Sequence, residues 1–307
     1  MFLATQTLTL IDSKLEEDQG AKYRGLLGEL MPEAGDAYST KNDPFRDHLG
    51  ASMIGRECAR ELWYNFHWCK KPVFSGRILR LFNTGHLAEP KIVALLKMIG
   101  CEVWQFTPDG KQYRVKGHKG HFGGSLDAVV RGIPEMPEVP LLAEFKTHGT
   151  SSYNKLVKEG VLKAKWVHLV QMQIYMGKYN LTHALYVAVE KNTDALYAEI
   201  VQFDPGIYQR YLDRSIMIIE AIEPPPKINE NIAWFECRCC DYKGICHRKE
   251  LPEINCRTCV FSRILENGKW DCLNSEASIE FPDRVLTPDQ QRIETCPFHQ
   301  LKPTFTR

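Results

Sequence analysis

The chain has 307 residues, of which 44% are hydrophobic and 25% charged, and its formal net charge is +1. These are the proportions of a globular protein with a real core, built as one large domain or two smaller ones. No apolar run approaches the roughly 20 residues of a membrane span, the opening MFLATQTLTLIDSKLEED lacks the pattern of a signal peptide, and the balanced charge does not by itself point to nucleic acid.

Residues 1–45 are polar and mixed, with a helix predicted around Lys22–Leu30 and then a Gly-, Asp-, Ser-, Asn- and Pro-rich stretch to Pro44. No role is assigned to them. Helices are predicted over Cys58–Trp68 and Arg77–Met98, the second from the spacing of Ile78, Leu81, Phe82, Ile92, Val93, Leu95 and Leu96. Strands follow at Cys101–Phe106, Gln112–Val115, Gly124–Val130 and Leu141–Thr147, then a helix at Val161–Lys178. Two more strands, His183–Val189 and Tyr197–Phe203, and a helix at Pro205–Ile222 lead to the break at Pro224-Pro225-Pro226. This order predicts an α/β fold, a mixed sheet flanked by helices. Two basic stretches, Lys155 to Lys165 and the Arg77, Arg80, Lys91, Lys97 group, read equally well as solvated helix faces or as walls of a nucleic-acid groove.

Residues 227–307 are loop-rich and poor in hydrophobic runs, so metals are expected to hold them together. Of eleven cysteines, eight fall between Cys237 and Cys296. An odd total in close C-x-x-C pairs argues for metal ligation in a reducing compartment rather than for a secreted disulfide scaffold, and the location expected is cytoplasmic (the bacterial host's cytoplasm if the chain is viral).

The central pattern is Asp127, at the end of GGSLD, followed by Glu144 and Lys146 in LLAEFKT. Side chains alternate along a strand, so Glu144 and Lys146 share a face while Phe145 points into the opposite layer. If the two strands pair, two carboxylates and an ammonium converge. Hard carboxylate oxygens suit Mg²⁺ or Mn²⁺, which polarises a phosphate and activates water, and a lysine can orient or help deprotonate that water and offset negative charge. By itself E-x-K in a strand is common, and surface charge on an edge strand is the bland reading. Upstream, GHLAEP sets His86 and Glu89 at i, i+3 on one helix face; downstream, LVQMQIYM sets Gln171 and Tyr175 at i, i+4 on another. An imidazole can join a metal shell, and an amide and a phenol can bond a nucleic-acid backbone or position the lysine; a core-edge histidine and a buried tyrosine are the plain alternatives.

The order H…D…ExK…QxxxY over residues 50–225 resembles the RecB-like branch of the PD-(D/E)xK nucleases. The resemblance implies a restriction-endonuclease-like fold in which His86, Asp127, Glu144 and the carbonyl of Phe145 hold the metal. It makes Lys146 the catalytic lysine and Gln171 and Tyr175 the QxxxY pair; Gln173 competes with Gln171, because QMQ also resembles the lambda-exonuclease branch.

Cys237, Cys240 and Cys246 form C-x2-C-x5-C, a spacing that suits one soft centre, a [4Fe–4S] cluster or zinc, with a fourth ligand still needed. Nucleases of the AddB type and CRISPR-associated exonucleases, which the chain resembles, place one cysteine before the nuclease motifs, and Cys58 in SMIGRECARELWY occupies that position. The resemblance thus implies a [4Fe–4S] cluster on Cys58, Cys237, Cys240 and Cys246, with Cys239 a spare thiol or a substitute for Cys240. Cys256, Cys259, Cys272 and Cys296 form a zinc-ribbon-like set; His299 is an alternative to Cys296, and a second iron–sulfur cluster is the alternative to Zn²⁺. Cys69 and Cys101 read as core residues.

These readings divide the chain into an N-terminal extension (1–45), a RecB-like nuclease domain closed by iron–sulfur cysteines (46–250) and a zinc-ribbon-like appendage (251–307). The function expected is a metal-dependent DNA nuclease, an exonuclease on single-stranded DNA or duplex ends in recombination, repair or phage DNA metabolism, with a recombination or replication protein as a possible partner. The rivals are a catalytically inactive nucleic-acid-binding protein stabilised by the same metal sites, and a redox or zinc scaffold in which E-x-K is incidental.

Overall fold

A computed structural model describes residues 1–33, 45–276 and 284–306. In chain order its elements are β1 (Phe2–Leu3), α1 (Thr5–Asp18), α2 (Ala21–Leu30), β2 (Leu49–Gly50), α3 (Ala59–Phe66), α4 (Gly76–Met98), β3 (Glu102–Trp104), β4 (Arg114–Gly117), β5 (Phe122–Ser125), β6 (Ala128–Arg131) and β7 (Leu141–His148). There follow α5 (Thr150–Ala164), α6 (Trp166–Tyr179), β8 (His183–Glu190), β9 (Leu196–Gln202), α7 (Pro205–Glu220), α8 (Phe235–Arg238), α9 (Lys243–Arg248), β10 (Ser262–Ile264), β11 (Trp270–Cys272), β12 (Val285–Leu286) and α10 (Pro288–Gln291). Among the described residues no helix is long and apolar enough to cross a membrane.

The chain forms two compact units, each assembled from separated stretches: unit 1 is Met1–Asn42, Phe74–Val115 and Ser125–Gln209, and unit 2 is Asp43–Val73, Lys116–Gly124 and Arg210–Arg307. This partition does not follow the chain-order boundaries at 45 and 250. The first 30 residues are part of unit 1: Phe2 and Leu3 pair with Ile200 and Glu199 on β9, and Ala4 and Leu30 are buried in its core.

Unit 1 is the mixed sheet flanked by helices that the sequence predicts. Its six strands run β1-β9-β8-β7-β6-β3; β7 and β8 are parallel, and the other pairs are antiparallel. One face carries Leu141, Ala143 and Phe145 of β7 with Leu185, Val187, Ala198 and Ile200, packed with Ile92, Val93, Ala94 and Leu96 of α4. Helix α5 packs against β8 and β9, and α6 against β7 and β8. The single helix predicted over Val161–Lys178 is two. Gly160, at φ 71°, breaks regularity within α5, and there the buried Glu199 accepts a 2.8 Å hydrogen bond from the Val161 amide, capping the helical turn that restarts. Lys165, at φ −137°, then separates α5 from α6. The predicted strand Gly124–Val130 is likewise interrupted: Leu126 and Asp127 lie between β5 and β6, and only β6 enters the six-stranded sheet.

Unit 2 has little regular structure, and its core is organised around Arg257, which has no exposed surface. The guanidinium lies 3.6 Å from the Trp68 ring centroid and 4.8 Å from that of Trp270. It donates to the carbonyl of Phe66 at 2.9 Å, to that of Asp47 at 3.1 Å and to Gln291 Oε1 at 3.0 Å. Asn255 adds a bond to the Trp68 carbonyl. The loop-rich tail therefore has an anchor that needs no metal, one that the cysteine spacing did not reveal.

Arg257→Met keeps the stem but strands those acceptors in a buried site, where each unpaired group costs about 1–3 kcal/mol. Urea unfolding followed by tryptophan fluorescence should show unit 2 destabilised by about 3 kcal/mol or more; a loss under about 1 kcal/mol would mean that Arg257 is not its anchor.

Candidate active site

Strand β7 lies inside the sheet between β6 and β8, so its polar residues are held by neighbours on both sides. Glu144 is fully buried, whereas the Lys146 and Asp127 side chains are 26% and 19% exposed. The β6–β7 register, Ala128 opposite Ala143, brings Asp127 beside Glu144. Just past that pair, the Phe145 amide donates to Asp127 Oδ2 at 2.7 Å, so the break before β6 lets a carboxylate take up a main-chain donor of β7. Lys146 Nζ donates to Glu144 Oε1 and, at 3.0 Å, to the Phe145 carbonyl, and it lies 3.8 Å from Asp127 Oδ2. Phe145 itself is buried in the opposite layer.

Burial pushes the Glu144 carboxyl up to about 7; the Lys146 charge works against this and the Asp127 charge adds to it. Burial alone would pull Lys146 down, but the charges of Glu144 and Asp127 outweigh it and hold the ammonium above its ordinary value. Glu144 Oε2 is buried without a hydrogen-bond partner.

Helix α6 supplies Gln171 and Tyr175, both buried. Gln171 acts on the Glu144 carboxyl and favours its charged form. Gln173 is occupied elsewhere, donating to the Gln202 carbonyl at 2.9 Å and accepting from the Asp204 amide at 2.7 Å, so of the two glutamines it is Gln171 that acts on Glu144. His86 and Glu89 are half-buried on α4, and it is Glu89 whose charge reaches Lys146. The sequence reading gave Glu89 no role of its own, although GHLAEP placed it on the same helix face as His86. His148 and His168 were also missed: both lie near Lys146, whose charge, after burial, helps to depress them. The alternation that pairs Glu144 with Lys146 could have pointed to His148, two residues further along β7.

Among the described residues no three His, Cys, Asp or Glu side chains stand in a finished metal-binding arrangement. At Glu144 and Asp127 the cation present among the carboxylates is the Lys146 ammonium. The donor chemistry fits a hard divalent ion: two carboxylates, one with a buried oxygen left without a hydrogen bond, beside a main-chain carbonyl.

In unit 2, Cys58, Cys237, Cys240 and Cys246 line one cavity, whereas Cys239 is exposed. Cys58 also caps α3, its Sγ accepting from the Glu61 amide. Burial, and then neighbouring thiols, push up Cys237, while burial pushes Cys240 up to about 12. A second cavity is lined by Cys256, Cys259, Cys272, Cys296 and His299, and burial pushes Cys256 up to about 12. Four thiols around one space suit a soft metal in each case. Cys69 and Cys101 are buried and line neither cavity.

No protein-family model matches the chain, and no curated protein matches it. Among solved structures, the alkaline exonuclease LHK-Exo in complex with dAMP is similar at 16% identity and a TM-score of 0.42, over 56% of this chain and 86% of that one. The same enzyme, from Laribacter hongkongensis, also matches at 15% identity and a TM-score of 0.42, with the same coverage. The protein SSO0001 is similar at 16% identity and a TM-score of 0.37, over 78% of this chain and 95% of that one.

The Glu144 carboxyl, ordinarily near 4.5, is held near 7 in the fold, so between those values the folded chain binds the extra proton. Stability of metal-free protein should therefore fall as pH rises through that window, by at most about 1.4 kcal/mol per pH unit. Glu144→Gln should flatten the slope in urea unfolding followed in EDTA; an unchanged slope would place the titrating group elsewhere.

Proposed function

We propose that unit 1 is a divalent-metal-dependent deoxyribonuclease of the PD-(D/E)xK type, an exonuclease acting on single-stranded DNA or frayed duplex ends in recombination, repair or phage DNA metabolism. The observation that carries this reading is Glu144. It is a fully buried carboxylate with one oxygen lacking a hydrogen bond, flanked by Asp127 and by Lys146 on its own strand. A protein that only held nucleic acid would have no use for carboxylates beside a phosphate, because like charge repels it.

Asp127, Glu144 and the Phe145 carbonyl are the proposed holders of Mg²⁺ or Mn²⁺, joined from α4 by His86. Bound there, such an ion would polarise the scissile phosphate and activate a water for attack. Lys146, held protonated by its surroundings, serves as a donor rather than a base: it bonds a phosphate oxygen and offsets the charge that builds there. Gln171 favours the charged form of the Glu144 carboxyl against the burial that opposes it, and Tyr175 extends the same face of α6 by one turn. In unit 2, Cys58, Cys237, Cys240 and Cys246 are the proposed ligands of a structural [4Fe–4S] cluster, and Cys256, Cys259, Cys272 and Cys296 of a Zn²⁺ ion. The support for both is that each set lines one cavity.

End-labelled single-stranded DNA incubated with Mn²⁺ tests the hydrolytic assignment. Asp127→Ala and Lys146→Ala should each slow cleavage about a hundredfold or more. Cleavage that survives both places the active site elsewhere, and tight binding without cleavage by the wild type makes the protein a binder.

Anaerobically purified protein should absorb visible light and contain iron. Cys58→Ser should lower the iron content as much as Cys246→Ser, and Cys239→Ser should leave it unchanged. A colourless preparation with two zinc ions per chain would replace the cluster with a second zinc site and leave the nuclease proposal standing.

A further inference from the structure

A second polar assembly continues the face of unit 1 on which Glu144 and Lys146 lie. His148 follows them at the end of β7, and Tyr186, opposite Glu144 on β8, joins its ring to that of His168 on α6. Tyr186 Oη is 2.9 Å from His148 Nε2 and 2.9 Å from His168 Nδ1. Ser152 Oγ is 3.4 Å from His148 Nδ1, and Lys165 Nζ donates to that same Ser152 oxygen. The two imidazoles are nearly parallel, 9° apart with centroids separated by 5.9 Å.

One consistent set of proton positions runs from Lys165 to His168. An ammonium can only donate, so Ser152 Oγ accepts from Lys165; the set begins with the one Ser152 hydrogen turned to His148 Nδ1, 3.4 Å away. Burial, with Lys165 and Lys146 adding, pushes His148 down to about 4, so its ring is neutral and its single proton sits on Nε2, donating to Tyr186. Burial keeps the Tyr186 phenol protonated, and its one hydrogen goes to His168 Nδ1. Burial and the Lys146 charge push His168 down to about 3, so this ring is neutral too and carries its proton on Nε2. The donor direction thus runs from Lys165 to His168 and ends there. His168 lies one turn before Gln171, on the face of α6 that serves Glu144.

We propose that His168 Nε2–H is a neutral donor for a non-bridging oxygen of a nucleic-acid phosphate beside the carboxylate–lysine site, with Tyr186, His148 and Ser152 as positioning residues that fix its tautomer. This rests on the phosphodiester reading of that site. A neutral donor suits the place. An oriented imidazole N–H presents its hydrogen to a phosphate oxygen without a charge to desolvate.

The test uses the full chain with ¹⁵N-labelled histidine and long-range ¹H–¹⁵N spectra of the ring nitrogens. An oligothymidylate serves as probe in EDTA, where cleavage is absent, with inorganic phosphate as the comparison. His148 and His168 should both appear as Nε2–H tautomers, and the oligonucleotide should shift His168 Nε2 while leaving His148 Nε2 in place. Tyr186→Phe, which removes only a hydroxyl, should release His168 into a mixture of tautomers. In Mn²⁺-dependent cleavage, Tyr186→Phe and His168→Ala should raise KM for DNA about tenfold or more, with partial recovery in His168→Gln, whose amide can still donate. An unperturbed His168 Nε2 together with unchanged KM overturns the proposal while leaving the nuclease assignment intact. A shifted Nε2 in a protein that never cleaves DNA upholds the phosphate contact and removes the hydrolytic reading instead.

Discussion

Unit 1 is governed by the cost of hiding the Glu144 carboxylate. Taking an ion out of water costs several kcal/mol even after the surroundings relax, and Glu144 has no exposed surface. The fold answers with an ammonium two residues along the same strand and an amide from α6, but it also sets Asp127 close by, which raises the cost. A structure selected for stability alone would fill this place with an apolar side chain. Burial first, and then the Asp127 charge, make Glu144 costly to ionise against the pull of Lys146, and a divalent cation held there would lower that cost.

The sheet makes that concentration of charge possible by separating two chemistries strand by strand. Leu141, Ala143 and Phe145 of β7 enter an apolar layer with α4; on the other face, beyond Leu142, Glu144, Lys146 and His148 form a polar row. The row extends sideways through Tyr186 to His168, so rigid strands and one helix position every polar group in it. Glu199, on β9, uses its buried charge differently, accepting from the Val161 amide and from the Tyr197 hydroxyl. Buried acids in the same unit therefore serve different ends: Glu199 Oε2 takes two donors, whereas Glu144 Oε2 takes none.

Unit 2 solves another problem. Most of its elements are short, it has many thiols, and its buried apolar side chains, among them Ile54, Leu62, Trp63 and Ile218, come from separate segments. Arg257 stacks on Trp68 and Trp270 and collects carbonyls from separate segments, which lets one side chain act as both core filler and hydrogen-bond hub. The two cysteine-lined cavities sit in this framework, so metal ions would reinforce an existing scaffold.

What the sequence determined by itself was whatever follows from local periodicity. Alternation placed Glu144 and Lys146 on one face with Phe145 on the other, helical spacing put Gln171 and Tyr175 together, and the strand–helix order implied a mixed sheet. The C-x-x-C spacings paired thiols such as Cys237 with Cys240 and Cys256 with Cys259, because side chains close in sequence are already close in space. Tertiary structure decided whatever depends on a partner distant in the chain. Leu126 and Asp127 interrupt a run that reads as one strand, because the Asp127 carboxylate bonds an amide of β7 and only the residues after it pair in the main sheet. Lys165 divides the stretch predicted as one helix, and Gly160, just before that stretch, breaks α5 beside the carboxylate of Glu199. Phe2 and Leu3 become a sheet edge only because β9 is there to pair with them. No sequence pattern singles out Arg257, and only the convergence of Trp68, Trp270 and two main-chain carbonyls makes it a core residue. Local pattern fixes which way a side chain points; what it meets there depends on contacts across the chain, which periodicity does not encode.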